Sequence, residues 1–134
     1  MTKEKDELSS IIRHRIKEAE ETIEDVQLFI ENDRLRAAVN RIYYGIFYSI
    51  LALGSAHGFE TSRHPQLIGR FNKNFIHSGQ IEPEYGKIIN KAYNRRTKSD
   101  YDVYVVIDKE TVIEMFGEMK DFISRIKEYF KIGS

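Results

Sequence analysis

Asn40-Arg41-Ile42-Tyr43-Tyr44-Gly45-Ile46-Phe47-Tyr48-Ser49-Ile50 is the stretch on which the fold turns. It lies within a longer stripe in which Leu35, Ala38, Val39, Ile42, Ile46, Ile50 and Leu53 recur at helical spacing over residues 34–54. Between Tyr43 and Leu53 the pattern is apolar around most of the circumference, which predicts a buried helix rather than a surface one. Ala37, Gly45, Ser49 and Ala52 are small, so neighbouring helices can approach closely. Gly54-Ser55 and Gly58 end the pattern. The rest of the chain is read as elements that cover this central helix.

Upstream, Leu8, Ile12, Ile16, Ala19, Ile23, Val26 and Ile30 form one apolar stripe over 7–31, with a Glu- and Lys-rich opposite face. Asn32-Asp33 breaks that helix, and Asp33 is the expected N-cap of the next. Downstream, Pro65 opens a third helix, with Leu67, Ile68, Phe71, Phe75 and Ile76 inward and Gly79 as its stop. Pro83 opens a fourth, with Tyr85, Ile88, Ile89, Ala92 and Tyr93 inward. Helical periodicity is lost over 99–107, where Val103, Val105, Val106 and Ile107 are β-branched, and an extended connector is expected. Asp108 caps the last helix, whose Val112, Phe116, Met119, Ile123, Ile126 and Phe130 share a face. The pattern predicts an all-α bundle of about five helices, one of them shorter, in a single domain over 1–134 with its core within 7–131.

At 134 residues the chain is long enough to bury one core without staples. There is no cysteine, which excludes a disulfide framework and a thiolate zinc site and fits a reducing cytoplasm. No long apolar run and no signal-peptide core occur, so a cytoplasmic protein without a membrane span is expected. Lysine plus arginine and aspartate plus glutamate both number 21, giving zero formal charge. That balance argues against a protein that coats DNA or RNA by bulk electrostatics.

Local charge is another matter. Arg95-Arg96-Thr97-Lys98-Ser99-Asp100-Tyr101-Asp102 gathers cations, carboxylates and a tyrosine where the fourth helix ends. Arg96 follows Ala92 by four residues and Tyr93 by three, so it shares their inward face. An arginine there needs a carboxylate or an anion. Asn40, Arg41 and Tyr44 on the central helix form a second polar group, and Asn40 is costly if buried without a partner.

Together these features resemble the HEPN superfamily. The resemblance rests on Ala38, Arg41, Tyr43, Tyr44 and Phe47 in the central helix and on His64 opening a helix that carries Phe71, Asn72 and Phe75. Arg96, Asp100, Tyr101 and Asp102 complete it, and residues 10–130 are covered. It is closest to the small stand-alone prokaryotic HEPN proteins. The resemblance implies an up-and-down bundle that homodimerises. It also implies, for many members, a cleft with Arg, a gap of four to six residues, then His. Such members are metal-independent RNases, often toxins paired with a minimal nucleotidyltransferase. Histidine suits proton abstraction from a ribose hydroxyl, and arginine grips phosphate oxygens bidentately.

Here the chain departs from that pattern. Counting from Arg95 or Arg96 reaches Asp100, Tyr101, Asp102 and Val103, and no histidine. Tyrosine, titrating near about 10, and aspartate, near about 3.9, are both poor bases at neutral pH. His57, His64 or His77 could fill the gap from elsewhere, whereas His14 sits on the charged face of the first helix. No histidine pair has helical metal-ligand spacing, so neither metal nor cofactor is expected. The first reading is a dimeric interaction or regulatory module working with a nucleotidyltransferase. In it Arg96, Asp100 and Tyr101 form a polar latch at the dimer cleft. The alternative is a metal-independent endoribonuclease. Arg96 would hold the phosphate, Arg95 or Lys98 would guide the strand, and Asp100 or a histidine would act as base. A nucleotide- or anion-binding module is the third. Asn40, Arg41, Tyr44, His64, Arg95, Lys98 and Asp102 line the cleft in each.

Overall fold

The computed structural model describes residues 2–59, 61 and 63–132. Five α-helices follow one another: α1 (Thr2–Glu31), α2 (Leu35–His57), α3 (His64–Phe71), α4 (Pro83–Tyr101) and α5 (Lys109–Tyr129). No strand occurs among the described residues. The stripe from Leu35 to Leu53 becomes α2, which packs against α1 most extensively and also against α3, α4 and α5. Ile42, Tyr43, Ile46, Ile50 and Leu53 are inaccessible to solvent at its centre. Each of the four aliphatic side chains among them contributes about 1.5–3 kcal/mol by leaving water. Among the described residues no helix is long and apolar enough to cross a membrane.

The small residues of α2 act as expected. Gly45 lies where α1 and α5 both reach α2, and a Cβ there would run into the Thr22 hydroxyl and the Met119 methyl. Ser49 and Thr22 bury hydroxyls at these crossings, each donating 2.6 Å to a carbonyl of its own helix, Ile46 and Ala19 respectively. Gly58 ends α2 with φ of 76°, a left-handed conformation that glycine adopts without steric cost.

Three local expectations are corrected. Asp33 is not the N-cap of α2; Arg34 holds that position, without a side-chain cap. Asp33 instead takes φ of 55°, and the Arg34 N–H bonds back to the Phe29 carbonyl. The two-residue link is spent on closing α1, and aspartate is one of the few residues that tolerates the left-handed region. The third helical stretch is not one α-helix up to Gly79. After Phe71 the backbone widens into a π-turn over Asn72–Ile76, where the His77 N–H reaches back to Asn72 O. Finally, α4 continues to Tyr101 rather than fading at residue 99. Ser99 is buried and Asp100 pairs with Arg96 one turn earlier, so the last turn is held from both sides. The connector after it is irregular, and the Asp102 carboxylate accepts the Tyr104 N–H at 2.9 Å.

Candidate functional site

Where α2 meets the end of α4 and the start of α3, one aromatic and cationic cluster forms. Tyr43 and Tyr44 are adjacent on α2, about 100° apart around it, so one faces the core and the other its rim. Tyr43 is fully buried, and its hydroxyl lies 2.5 Å from His64 Nδ1. His64 begins α3, just before Pro65. Its ring lies flat on Phe47, centroids 3.9 Å apart and planes within 8°. The Tyr44 ring meets the same imidazole edge-on at 5.6 Å.

Arg96 comes in from α4. Its guanidinium stands 5.3 Å from the Tyr43 ring centroid and 5.5 Å from that of Tyr44. Its Nη2 also donates to the Tyr44 hydroxyl at 3.4 Å. Asp100 Oδ2 is 2.9 Å from Arg96 Nε. That N–H is buried and not aimed at the carboxylate, so the pair is a close coulombic contact without an aligned hydrogen bond. Arg41 approaches the Tyr44 ring at 5.8 Å and reaches Asp25 at 3.9 Å. Two guanidiniums and one imidazole thus surround Tyr44, opposed at close range by Asp100.

Electrostatics follow from this packing. Burial, with the Arg96 charge as the second cause, holds His64 below the usual histidine range, so its ring is neutral at neutral pH. Burial pushes the Tyr43 hydroxyl well above the usual tyrosine range, only partly offset by Arg96, so it keeps its proton. The chemistry available is therefore a guanidinium, already paired with Asp100, beside a neutral, rigidly held imidazole, and both groups carry N–H donors that suit a phosphate or another oxyanion.

The residues singled out from the sequence divide into groups. Tyr44, Arg41, Arg96, Asp100 and His64 come together in this cluster. Asn40, one turn before Tyr44, is half-buried and makes no side-chain hydrogen bond among the described residues. Arg95 and Lys98 lie around the helix from Arg96 and line a different hollow, a cavity of about 190 Å³ roofed by Val105–Asp108. Tyr101 is 80% exposed and Asp102 caps the connector, so neither lies in the cluster. Of the other histidines, His57 Nε2 meets the Tyr129 hydroxyl at 2.8 Å, His14 lies by Glu18 on α1, and His77 is exposed. Tyr43, Phe47 and Tyr93, whose ring is 5.8 Å from Tyr43, also join the cluster, although the sequence marks them only as core or motif aromatics. The one available signal was the pairing of a central-helix Tyr-Tyr with a histidine at a helix start.

An all-helical bundle carrying this arginine–tyrosine–histidine cluster against its central helix is the architecture to be placed in a family. The HEPN domain model matches residues 12–129, and the chain belongs to the HEPN family. Within it the chain is 34% identical over 122 residues to "UPF0332 protein" of Thermotoga maritima, covering 91% of this chain and 92% of that one. It is 36% identical over 120 residues to "Putative toxin MJ0605" of Methanocaldococcus jannaschii, covering 90% of this chain and 89% of the relative. A second protein of that organism, "Putative toxin MJ0142", is 31% identical over 114 residues, or 85% and 78% of the two chains.

Proposed function

We propose that this chain is a toxin-type HEPN protein that cleaves RNA at the Tyr44–His64–Arg96 cluster without a metal. It acts as a cytoplasmic homodimer and is restrained by a nucleotidyltransferase partner. The observation that carries this reading is His64, hydrogen-bonded to Tyr43 in the cluster that Arg96 closes. It supplies the imidazole missing from the stretch after Arg96. The toxin names of two relatives point the same way.

In the reaction the ribose 2′-oxygen attacks the adjacent phosphorus and the bond to the 5′-oxygen breaks. A 2′,3′-cyclic phosphate and a 5′-hydroxyl result. The 2′-hydroxyl proton goes to Asp100 or to water, and the leaving 5′-oxygen takes its proton from solvent. Arg96 stabilises the negative charge that builds on the non-bridging phosphoryl oxygens.

The test is incubation of purified protein with RNA in excess chelator, beside Arg96→Ala and His64→Ala. Cleavage by the parent that falls at least a hundredfold in both variants is expected. Intact RNA in the presence of a folded dimeric parent would overturn the reading. One observation favours the non-catalytic interaction module instead. Asp100 already neutralises Arg96, and Tyr101 and Tyr104 are 80% and 89% exposed, facing any partner.

A further inference from the structure

We propose that His64 serves this site as a hydrogen-bond donor through Nε2–H, not as a proton acceptor, and that Tyr43 is the positioning residue that fixes that form. The inference rests on the reading of the cluster as an RNA phosphate site and assigns the histidine its role there.

One buried proton decides the tautomer. The Tyr43 hydroxyl is sealed from solvent and meets His64 Nδ1 at 2.5 Å. Either the hydroxyl donates to Nδ1, or a protonated Nδ1 donates to the hydroxyl oxygen. In the second case the tyrosine proton needs another acceptor. Arg96, which lies against the ring, is a donor only. No other hydrogen bond of that hydroxyl occurs among the described residues. A buried O–H left without an acceptor carries a penalty of roughly tenfold to a hundredfold in population. The first arrangement prevails, Nδ1 accepts, and the single proton of the neutral ring sits on Nε2.

The surroundings hold that state. Phe47 stacks on the imidazole face and Tyr44 abuts it edge-on, so the ring cannot tilt away from Tyr43. The groups facing it are Tyr43 and Tyr44 from α2, and Arg96, with Tyr93 behind Tyr43, from α4. Asp100 is engaged by Arg96. A second ring proton would be opposed by burial and by the Arg96 charge. It would also require Tyr43 to give up the acceptor it has in Nδ1. His64 is half-buried, and its Nε2 makes no hydrogen bond to the protein among the described residues. A neutral donor next to a fixed guanidinium is the pairing an anionic phosphoryl oxygen needs. The group that takes the 2′-proton must then be another one.

Nitrogen-15 NMR of the ring-labelled protein at neutral pH, without RNA, reads the tautomer directly. A pyridine-like Nδ1 and a pyrrole-like Nε2 are expected for His64; the reverse assignment, or a doubly protonated ring, would overturn the proposal. Tyr43→Phe keeps the ring stack and removes the donor, so its two nitrogen shifts should move toward an average. An unchanged tautomer in that variant removes Tyr43 from the role. Titration with a dinucleotide whose upstream 2′-hydroxyl is replaced by hydrogen should shift the His64 Nε2–H resonance. A resonance that stays put while Arg96 signals move would refute the donor assignment. Because the tautomer is read without substrate, a protein that cuts no RNA but shows this pattern would refute the ribonuclease reading alone.

Discussion

Replacing Gly45 by alanine adds one methyl group at a close crossing where α1, α2 and α5 meet. Two opposing effects can be sized. Alanine in a helix interior is favoured over glycine by about 1 kcal/mol. Against this, the new Cβ would overlap the Thr22 hydroxyl and the Met119 methyl. The methionine end is flexible, but Thr22 is 1% exposed and its hydroxyl is tied to the Ala19 carbonyl at 2.6 Å. Overpacking of this kind costs about 1–3 kcal/mol, and breaking the hydroxyl's bond about 1 kcal/mol more. The balance is a loss of about 1–3 kcal/mol. Urea denaturation should show a lower midpoint with an unchanged slope, since the surface exposed on unfolding is the same. Adding Thr22→Ala removes the obstructing oxygen, so the double variant should be more stable than the sum of the singles by roughly 1 kcal/mol. A Gly45→Ala protein as stable as its parent, or strictly additive singles, would refute the close crossing.

The electrostatic network makes further claims. Arg96→Gln removes one of the two causes that hold His64 low, so the His64 titration followed by NMR should move upward while staying below the ordinary range, because burial remains. With its folded value depressed, His64 takes up its proton more readily unfolded, so it subtracts stability as pH falls from about 6.5 through the folded midpoint. A downward or absent shift in Arg96→Gln would count against the cluster. Glu82 is held below the usual carboxylate range, chiefly by its hydrogen bond from Arg125 Nε at 2.6 Å. The stability it contributes is therefore present above about pH 4.3 and lost as pH falls through its lower folded value. Glu82→Gln should cost stability at neutral pH and little in acid, and a pH-independent difference between the two proteins would contradict the ion pair.

Periodicity carried the fold because each helix signals its buried face within a few turns. The stripes of α1, α2 and α5 are written at three- and four-residue steps, and any bundle must turn them inward. Boundaries were less legible. Asp33 has the chemistry of an N-cap, yet the short link puts it at the end of α1, and nothing local distinguishes the two uses. Within the site, Arg96 and Asp100 were readable together, because one helical turn brings them together in any α4. Tyr101 was drawn into the same site by proximity in sequence, although the helix turns it out to solvent.

What the sequence determined by itself, then, was a set of local relations: five helices, their inward faces, and an arginine aimed at the core beside a carboxylate. It also made plain that no histidine follows that arginine at the family spacing. Only the tertiary structure decided which of His57, His64 and His77 joins Arg96. His64 and Tyr43 are 21 residues apart, and their meeting depends on α3 folding back across α2. The physical reason is that helical geometry is encoded in neighbours along the chain. A buried hydroxyl's one partner is chosen instead by how whole helices pack, and the resulting hydrogen bond sets what the imidazole can do.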